Sequence, residues 1–181
     1  TSRRGSRHLG FDNRGGSSMS TLYTVSVVLA LLGSAVVGGV FFAFSSFVMK
    51  ALGRVPSSEG IAAMQSINVV VLNPSFLGAF IGTAVISVLV AGLAATGWTT
   101  PSAPFFLAGS LLYLVGTFLI TGLGNVPLND QLAAVSATDP EAISVWKHYL
   151  DRWTLLNTIR TVAAVAAALM FTLGLTQGGG S

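Results

Sequence analysis

Gly124-Asn125-Val126-Pro127-Leu128-Asn129-Asp130 directly follows an apolar run, Phe105 to Leu123, that is long enough to cross a membrane. Asn125 and Asn129 sit four apart, on one face if the run stays helical. Between them Pro127 removes a backbone donor and disturbs the preceding turn. Amide side chains at the end of a membrane helix are costly unless they meet partners inside the protein. The other comparably polar stretch within an apolar run is Trp153-Thr154-Leu155-Leu156-Asn157-Thr158-Ile159-Arg160. The two stretches are expected to face each other, and the rest of the chain is read around that meeting point.

The composition sets the class. Of 181 residues 52% are hydrophobic and only 8% charged, whereas a soluble domain carries roughly a quarter of its residues as charges. Together with a mean hydropathy of +0.75, this is the composition of an integral membrane protein. With no cysteine, disulfides, thiolate metal sites and thiol nucleophiles are excluded. The net charge of +3 is carried by a short tail, Arg3, Arg4, Arg7 and Arg14 less Asp12, and the charges from residue 19 onward cancel. The basic balance therefore gives no nucleic-acid surface.

Residues 1–18, rich in Gly, Ser and Arg, read as a disordered leader, residues 19–176 as a single four-helix transmembrane domain, and 177–181 as a Gly-rich linker. The first span is Leu22 to Val48, about 40 Å if wholly helical. In it Ala35, Gly39 and Ala43 form a small-residue stripe suited to close helix packing, and Phe41, Phe42, Phe44 and Phe47 crowd its end. Pro56-Ser57-Ser58-Glu59 starts a short interfacial helix over Ile61 to Leu72, with Gln65 and Asn68 on one face. Asn73-Pro74 then caps and starts the second span, Pro74 to about Ala95, which carries a Gly78/Gly82 pair. After a turn from Gly97 to Pro104 comes the third span, Phe105 to Leu123, then a loop over Asp130 to Asp139. Asp139-Pro140-Glu141 begins a helical extension that runs from Ala142 through the fourth span to Leu175. The fold class is thus all-α, a four-transmembrane-helix bundle with both termini on one side, self-associating as a homo-oligomer through its glycine-rich faces. An offset of 84 aligns Pro56 with Pro140 and Asn73 with Asn157, the trace of an internal repeat. Without the Arg-rich leader, the positive-inside rule places the loops flanked by Lys50, Arg54, Lys147 and Arg152 in the cytoplasm.

Trp146, Tyr149, Trp153, Asn157 and Arg160 follow spacings of three and four and form one stripe on the last helix. Arg160 lies about two turns past Trp153, inside the apolar region, where an arginine faces a partner or a wet cavity. The stripe is either a structural hydrogen-bond hub or a substrate site, and spacing does not separate the two. Metal ligation has no support, because no His/Asp/Glu group has ligand spacing. His148 is a candidate base, with Asp130 and Asp151 as the others. Phosphate loops, Ser-His-Asp arrangements and paired membrane carboxylates are missing from the sequence.

The quoted stretches, with Met-Gln-Ser-Ile-Asn at 64–68, Leu-Asn-Pro at 72–74 and Tyr-Leu-Asp-Arg at 149–152, resemble the DUF1772, or anthrone oxygenase-like, membrane proteins from Leu22 to Leu175. Named members of that family oxidise anthrones to anthraquinones with no established cofactor. The resemblance implies an oxygenase-like membrane enzyme, in a bacterial cytoplasmic membrane, acting without a metal or cofactor on an apolar aromatic, anthrone- or quinone-like molecule. An anthrone's acidic methylene gives a carbanion that reacts with oxygen directly, so the protein need only remove a proton and stabilise an oxyanion. On that reading Arg160, Asn125 and Asn157 stabilise the oxyanion, and Trp146, Tyr149 and Trp153 stack on the ring system. Asn68, Asn73 and Asn129 line the substrate site, and His148 or Asp151 is the base. The family often carries His where this chain has Thr158. The alternative is a non-catalytic membrane module, a lipid or small-molecule binder or an assembly subunit, with a structural Asn/Arg cluster.

Overall fold

The computed structural model describes residues 14–177. The leader up to residue 13 and the Gly-rich end from 178 lie outside them, and the rest of the leader, from Arg14, is already helical. Five helices follow: α1 with its apolar span Thr21–Leu52, α2 Ser57–Val70, α3 Pro74–Thr96, α4 Ala103–Ala133 and α5 Ala142–Gln177. All but α2 are long and apolar enough to cross a membrane, and no strand occurs among the described residues. The protein is an all-α, four-span integral membrane protein.

The four long helices form a square. α1 packs on α3 and α5, and α4 packs on the same two from the opposite corner. Small residues let the backbones approach. A β-carbon on Gly116 of α4 would lie 2.5 Å from that of Ala163 on α5, and one on Gly33 of α1 would collide with the Thr83 side chain of α3. The expected stripes are not the ones used. At Gly39, Gly78 and Gly82 a β-carbon would meet nothing within 4 Å, and Ala35 is exposed. The reason is phase: Ser34, Val37, Gly38 and Phe41 face inward on α1, which turns the Ala35/Gly39 row outward.

The third span also corrects the sequence reading. Instead of ending at Leu123 before a loop, α4 runs through Pro127 to Ala133. Proline there cannot donate a bond to the preceding turn, and its ring crowds the carbonyl four residues back. The chain meets this with a π turn over Thr121–Asn125, closed by the Val126 N–H donating to the Thr121 carbonyl. Such local widening keeps backbone groups paired around a membrane-helix proline. A longer π segment, Leu112–Leu119, precedes it on α4, and a third, Phe44–Val48, interrupts α1.

α3 begins later than its neighbours end. Beyond Pro74 the other three helices project, and α2 covers the projecting part, burying Ile61 and Met64 against Leu132, Trp146 and Tyr149. Asn73 makes the elbow between α2 and α3. Its Oδ1 accepts from the Phe76 N–H at 3.0 Å and its Nδ2 donates to the Val70 carbonyl at 3.0 Å, so one side chain caps both helices. Asn157, its partner in the 84-residue offset, lies instead in the middle of an unbroken helix, so the offset does not mark equivalent positions.

The packing places the 97–102 turn beside the end of α5, through Phe106 against Gly174, and the 53–56 and 134–141 connections at the α2 end. Because the chain has no native cysteine, single cysteines at Thr99 and Gln177 should react with an impermeant maleimide from one side of sealed vesicles, and those at Arg54 and Thr138 from the other. Labelling of Thr99 and Arg54 variants from the same side would remove a span.

Candidate functional site

Where α2, the start of α3 and the C-terminal half of α4 diverge, a cavity of about 400 Å³ opens into the bundle, within the range of small-molecule pockets. One wall is aromatic. Phe76 and Phe80, one turn apart on α3, are stacked with ring centroids 5.9 Å apart, and Phe41 meets each at 6.3 Å. Phe41 and Phe44 of the phenylalanine crowd line the cavity, while Phe42 and Phe47 face outward.

The opposite wall is polar and comes from α4. Thr121, Asn125 and Asn129 form one row of spacing four that faces the cavity. Asn125 is buried; its Nδ2 donates to the Trp153 carbonyl at 3.2 Å, and its Oδ1 has no partner among the described residues. The Asn129 Oδ1 accepts from the Tyr149 hydroxyl at 2.8 Å and from the Trp153 indole N–H at 2.9 Å. Asn68 on α2 donates to the same tyrosine oxygen at 3.4 Å, and Gln65 donates to the Leu132 and Val135 carbonyls at the end of α4. These amides fasten α2 over the cavity.

Arg160 lies deepest. It is 3% exposed, with one terminal nitrogen donating to Thr121 Oγ1 at 3.0 Å and the other to Asn157 Oδ1 at 2.6 Å. Its Cζ sits 4.1 Å from the Phe41 ring centroid and 5.3 Å from that of Trp153, both cation–π distances. Asn157 is fully buried and donates in turn to the Phe41 carbonyl and to Ser45 Oγ, each at 2.7 Å. Among the described residues every hydrogen-bond partner of the guanidinium is thus neutral, and its Nε has none. A cation at this depth is expensive, and aromatic faces and amide oxygens offset only part of the cost.

The structure sorts the sequence candidates. It brings Arg160, Asn125, Asn129, Asn68 and Trp153 to the cavity. Asn157 stands behind Arg160 and orients it. The Arg160 partners are Thr121 and Asn157, not the expected Asn73, Asn125 or Asn129. Asn73 is spent on the exposed elbow. Tyr149 is stacked between Trp146 and Trp153, with centroids 5.7 and 5.9 Å away, so its faces are not free for a ligand. Trp146 packs beneath Gly60, outside the cavity. His148 is exposed and faces away, since the Trp146/Tyr149 stripe points inward and residue 148 lies between its rows. Asp151 belongs to a separate open groove with Lys50 and Arg54. Sequence reasoning missed Thr121, Phe76, Phe80 and Ser45. Thr121 was visible as the residue four before Asn125, whereas the two phenylalanines carried no polar signal. Among the described residues no group of three or more His, Asp or Glu side chains could hold a metal ion.

In comparison with known proteins, the family model described as anthrone oxygenase matches residues 75–170, which include α3, α4 and the Arg160 stripe. No curated protein and no solved structure matches the chain.

Asn157 should behave as a buried hub and Asn73 as a cap. Asn157→Leu takes from Arg160 one of its two acceptors and from Ser45 one of its two partners, at about 1–3 kcal/mol for each group left short of a bond, and should lower the thermal midpoint sharply. Asn73→Ala should cost about 1 kcal/mol. Equal midpoints for the two variants would refute this ordering.

Proposed function

Because the chain belongs to the anthrone oxygenase family, we propose that the cavity binds an apolar, polycyclic aromatic compound with an oxygen function directed at Arg160 and oxidises it in the membrane. The observation that carries this reading is a guanidinium without a counter-ion and an amide that line one apolar cavity. Arg160 Nε and Asn125 Oδ1 are buried and unpaired among the described residues. A ligand carbonyl beside a phenolic hydroxyl offers an acceptor to the one side chain and a donor to the other. As the carbonyl becomes an enolate, its charge grows against a guanidinium that has no counter-ion, and such stabilisation is realised mainly in the transition state. Phe76 and Phe80, which line the cavity, suit an aromatic ring system.

The reaction this supports starts with loss of a proton from the methylene opposite the carbonyl. The carbanion gives electrons to molecular oxygen, forming a hydroperoxide at that carbon. Loss of water from the hydroperoxide leaves the second carbonyl. The balance is one CH₂ and one O₂ converted to one C=O and one H₂O. It requires no electron carrier, and the proposal is that none is used. Lys50, Arg54, Lys147 and Arg152 lie at the α2 end, and on the reading without the Arg-rich leader the proposal sets the cavity in the cytoplasmic half of a bacterial inner membrane. Self-association through the outward Ala35/Gly39 row is part of the same proposal.

A second reading is favoured by one observation: both terminal nitrogens of Arg160 already serve helix packing. In a non-catalytic module the same cluster is only a hub. Oxidation of anthrone by protein in nanodiscs separates the two. Arg160→Met should lose about 10²–10³ in turnover while the folded fraction persists, and wild-type activity should survive exhaustive metal chelation. Turnover that falls only in step with the melting temperature would favour the hub. Activity lost on chelation and restored by one metal would overturn the cofactor-free reaction.

A further inference from the structure

We infer that Asp130, at the mouth of the cavity, is the base that removes the substrate's proton. The inference rests on the carbanion reading above and goes beyond it by assigning the group that His148 and Asp151, facing other surfaces, do not supply. On α4 two rows of residues meet the cavity. The Thr121/Asn125/Asn129 row forms the inner wall, and the Val126/Asp130/Ala133 row, exposed on its outer side, forms the rim. Asp130 is the one Asp, Glu or His side chain among the residues lining the cavity.

Its position is poorly explained by stability. Asp130 falls in the last turn of a helix that ends at Ala133, where the helix dipole disfavours a negative charge. No hydrogen bond or ion pair engages its carboxylate among the described residues. It also stands opposite in charge to Arg160. Asp130 and Thr121, the hydroxyl that binds Arg160, are nine residues apart on α4, roughly 13 Å along the axis. The cavity thus has a cationic floor and an anionic rim. A flat molecule whose carbonyl accepts from Arg160 presents its opposite edge, where the acidic methylene lies, toward the rim.

The step balances within the site. Asp130 takes the proton as the C–H bond breaks, and the electron pair moves through the ring to the oxygen facing Arg160. A carboxylate is a sufficient base for a carbon acid when an oxyanion site carries the developing charge. The proton then leaves from an exposed side chain.

Proton removal can be read without oxidation. Anthrone is incubated anaerobically in deuterated buffer with protein in nanodiscs, and methylene exchange is followed by mass spectrometry, with binding measured by quenching of tryptophan fluorescence. Wild type should exchange faster than empty nanodiscs. Asp130→Asn should lose about 10²–10³ of that acceleration with anthrone still bound, and Asp151→Asn should match wild type. Formate should restore exchange to Asp130→Ala, a rescue that a merely structural role would not give. Wild-type exchange in Asp130→Asn would overturn the assignment and leave the oxygenase reading standing. Exchange lost together with binding would make Asp130 a binding residue and overturn it as the base. Binding of anthrone by wild type with no exchange would overturn both.

Discussion

A guanidinium held inside an apolar bundle by neutral groups is the constraint from which the rest of the molecule follows. Arg160 reaches across to α4 through Thr121 and is steered on its own helix by Asn157, which is pinned to α1 through the Phe41 carbonyl and Ser45. Three of the four long helices are therefore tied at one depth by a single charged network. The fourth, α3, contributes no polar atom there; it brings Phe76 and Phe80 to the cavity. Hydrogen bonds to a charged donor are the stronger kind, so this layer fixes the register of α1, α4 and α5 more firmly than interchangeable apolar contacts do.

Geometry elsewhere accommodates that layer. Two of the three π segments, Phe44–Val48 on α1 and Thr121–Asn125 on α4, occur beside the residues that meet Asn157 and Arg160. On α4 the wide turn also carries the helix past Pro127, so that Asn129 continues the row begun by Thr121. On the other side, the break at Asn73-Pro74 stops α3 short and leaves the volume that the cavity occupies. Two prolines thus act in opposite senses. One ends a helix because an N-cap precedes it, and the other is absorbed because a π turn precedes it.

That contrast explains what could be read from the sequence. The four spans, α2 and the Asn73 cap follow from apolar run length and local capping rules, and all were legible. The inward stripe on α5 was legible from its spacing, as was the burial of Arg160. The partners of Arg160 were not, because a row of asparagines advertises itself more than a threonine that happens to share their face. Nor was the fate of Trp146 and Tyr149: spacing puts aromatics on one face but does not say whether they stack on a ligand or on each other. The small-residue stripes misled for a related reason. Gly39 and Gly116 look alike in sequence, and only the phase of the polar and aromatic residues around them decides which one meets a neighbouring helix.

The same charge bears on stability and on binding. An arginine with a carboxylate partner would be better satisfied in this interior, and it would also be electrically spent. With neutral partners, and with Nε buried and unpaired among the described residues, Arg160 keeps a demand for negative charge that the fold does not meet. Low dielectric around the cavity magnifies the gain when such charge arrives. Little is gained from a neutral ground state, because its carbonyl carries only a partial charge. The arrangement therefore favours a ligand that becomes anionic once bound over one that arrives anionic, since the latter must also shed its hydration to enter an apolar cavity. The carbon acid proposed above would meet both conditions, entering as a neutral molecule from the bilayer and developing its charge only beside Arg160.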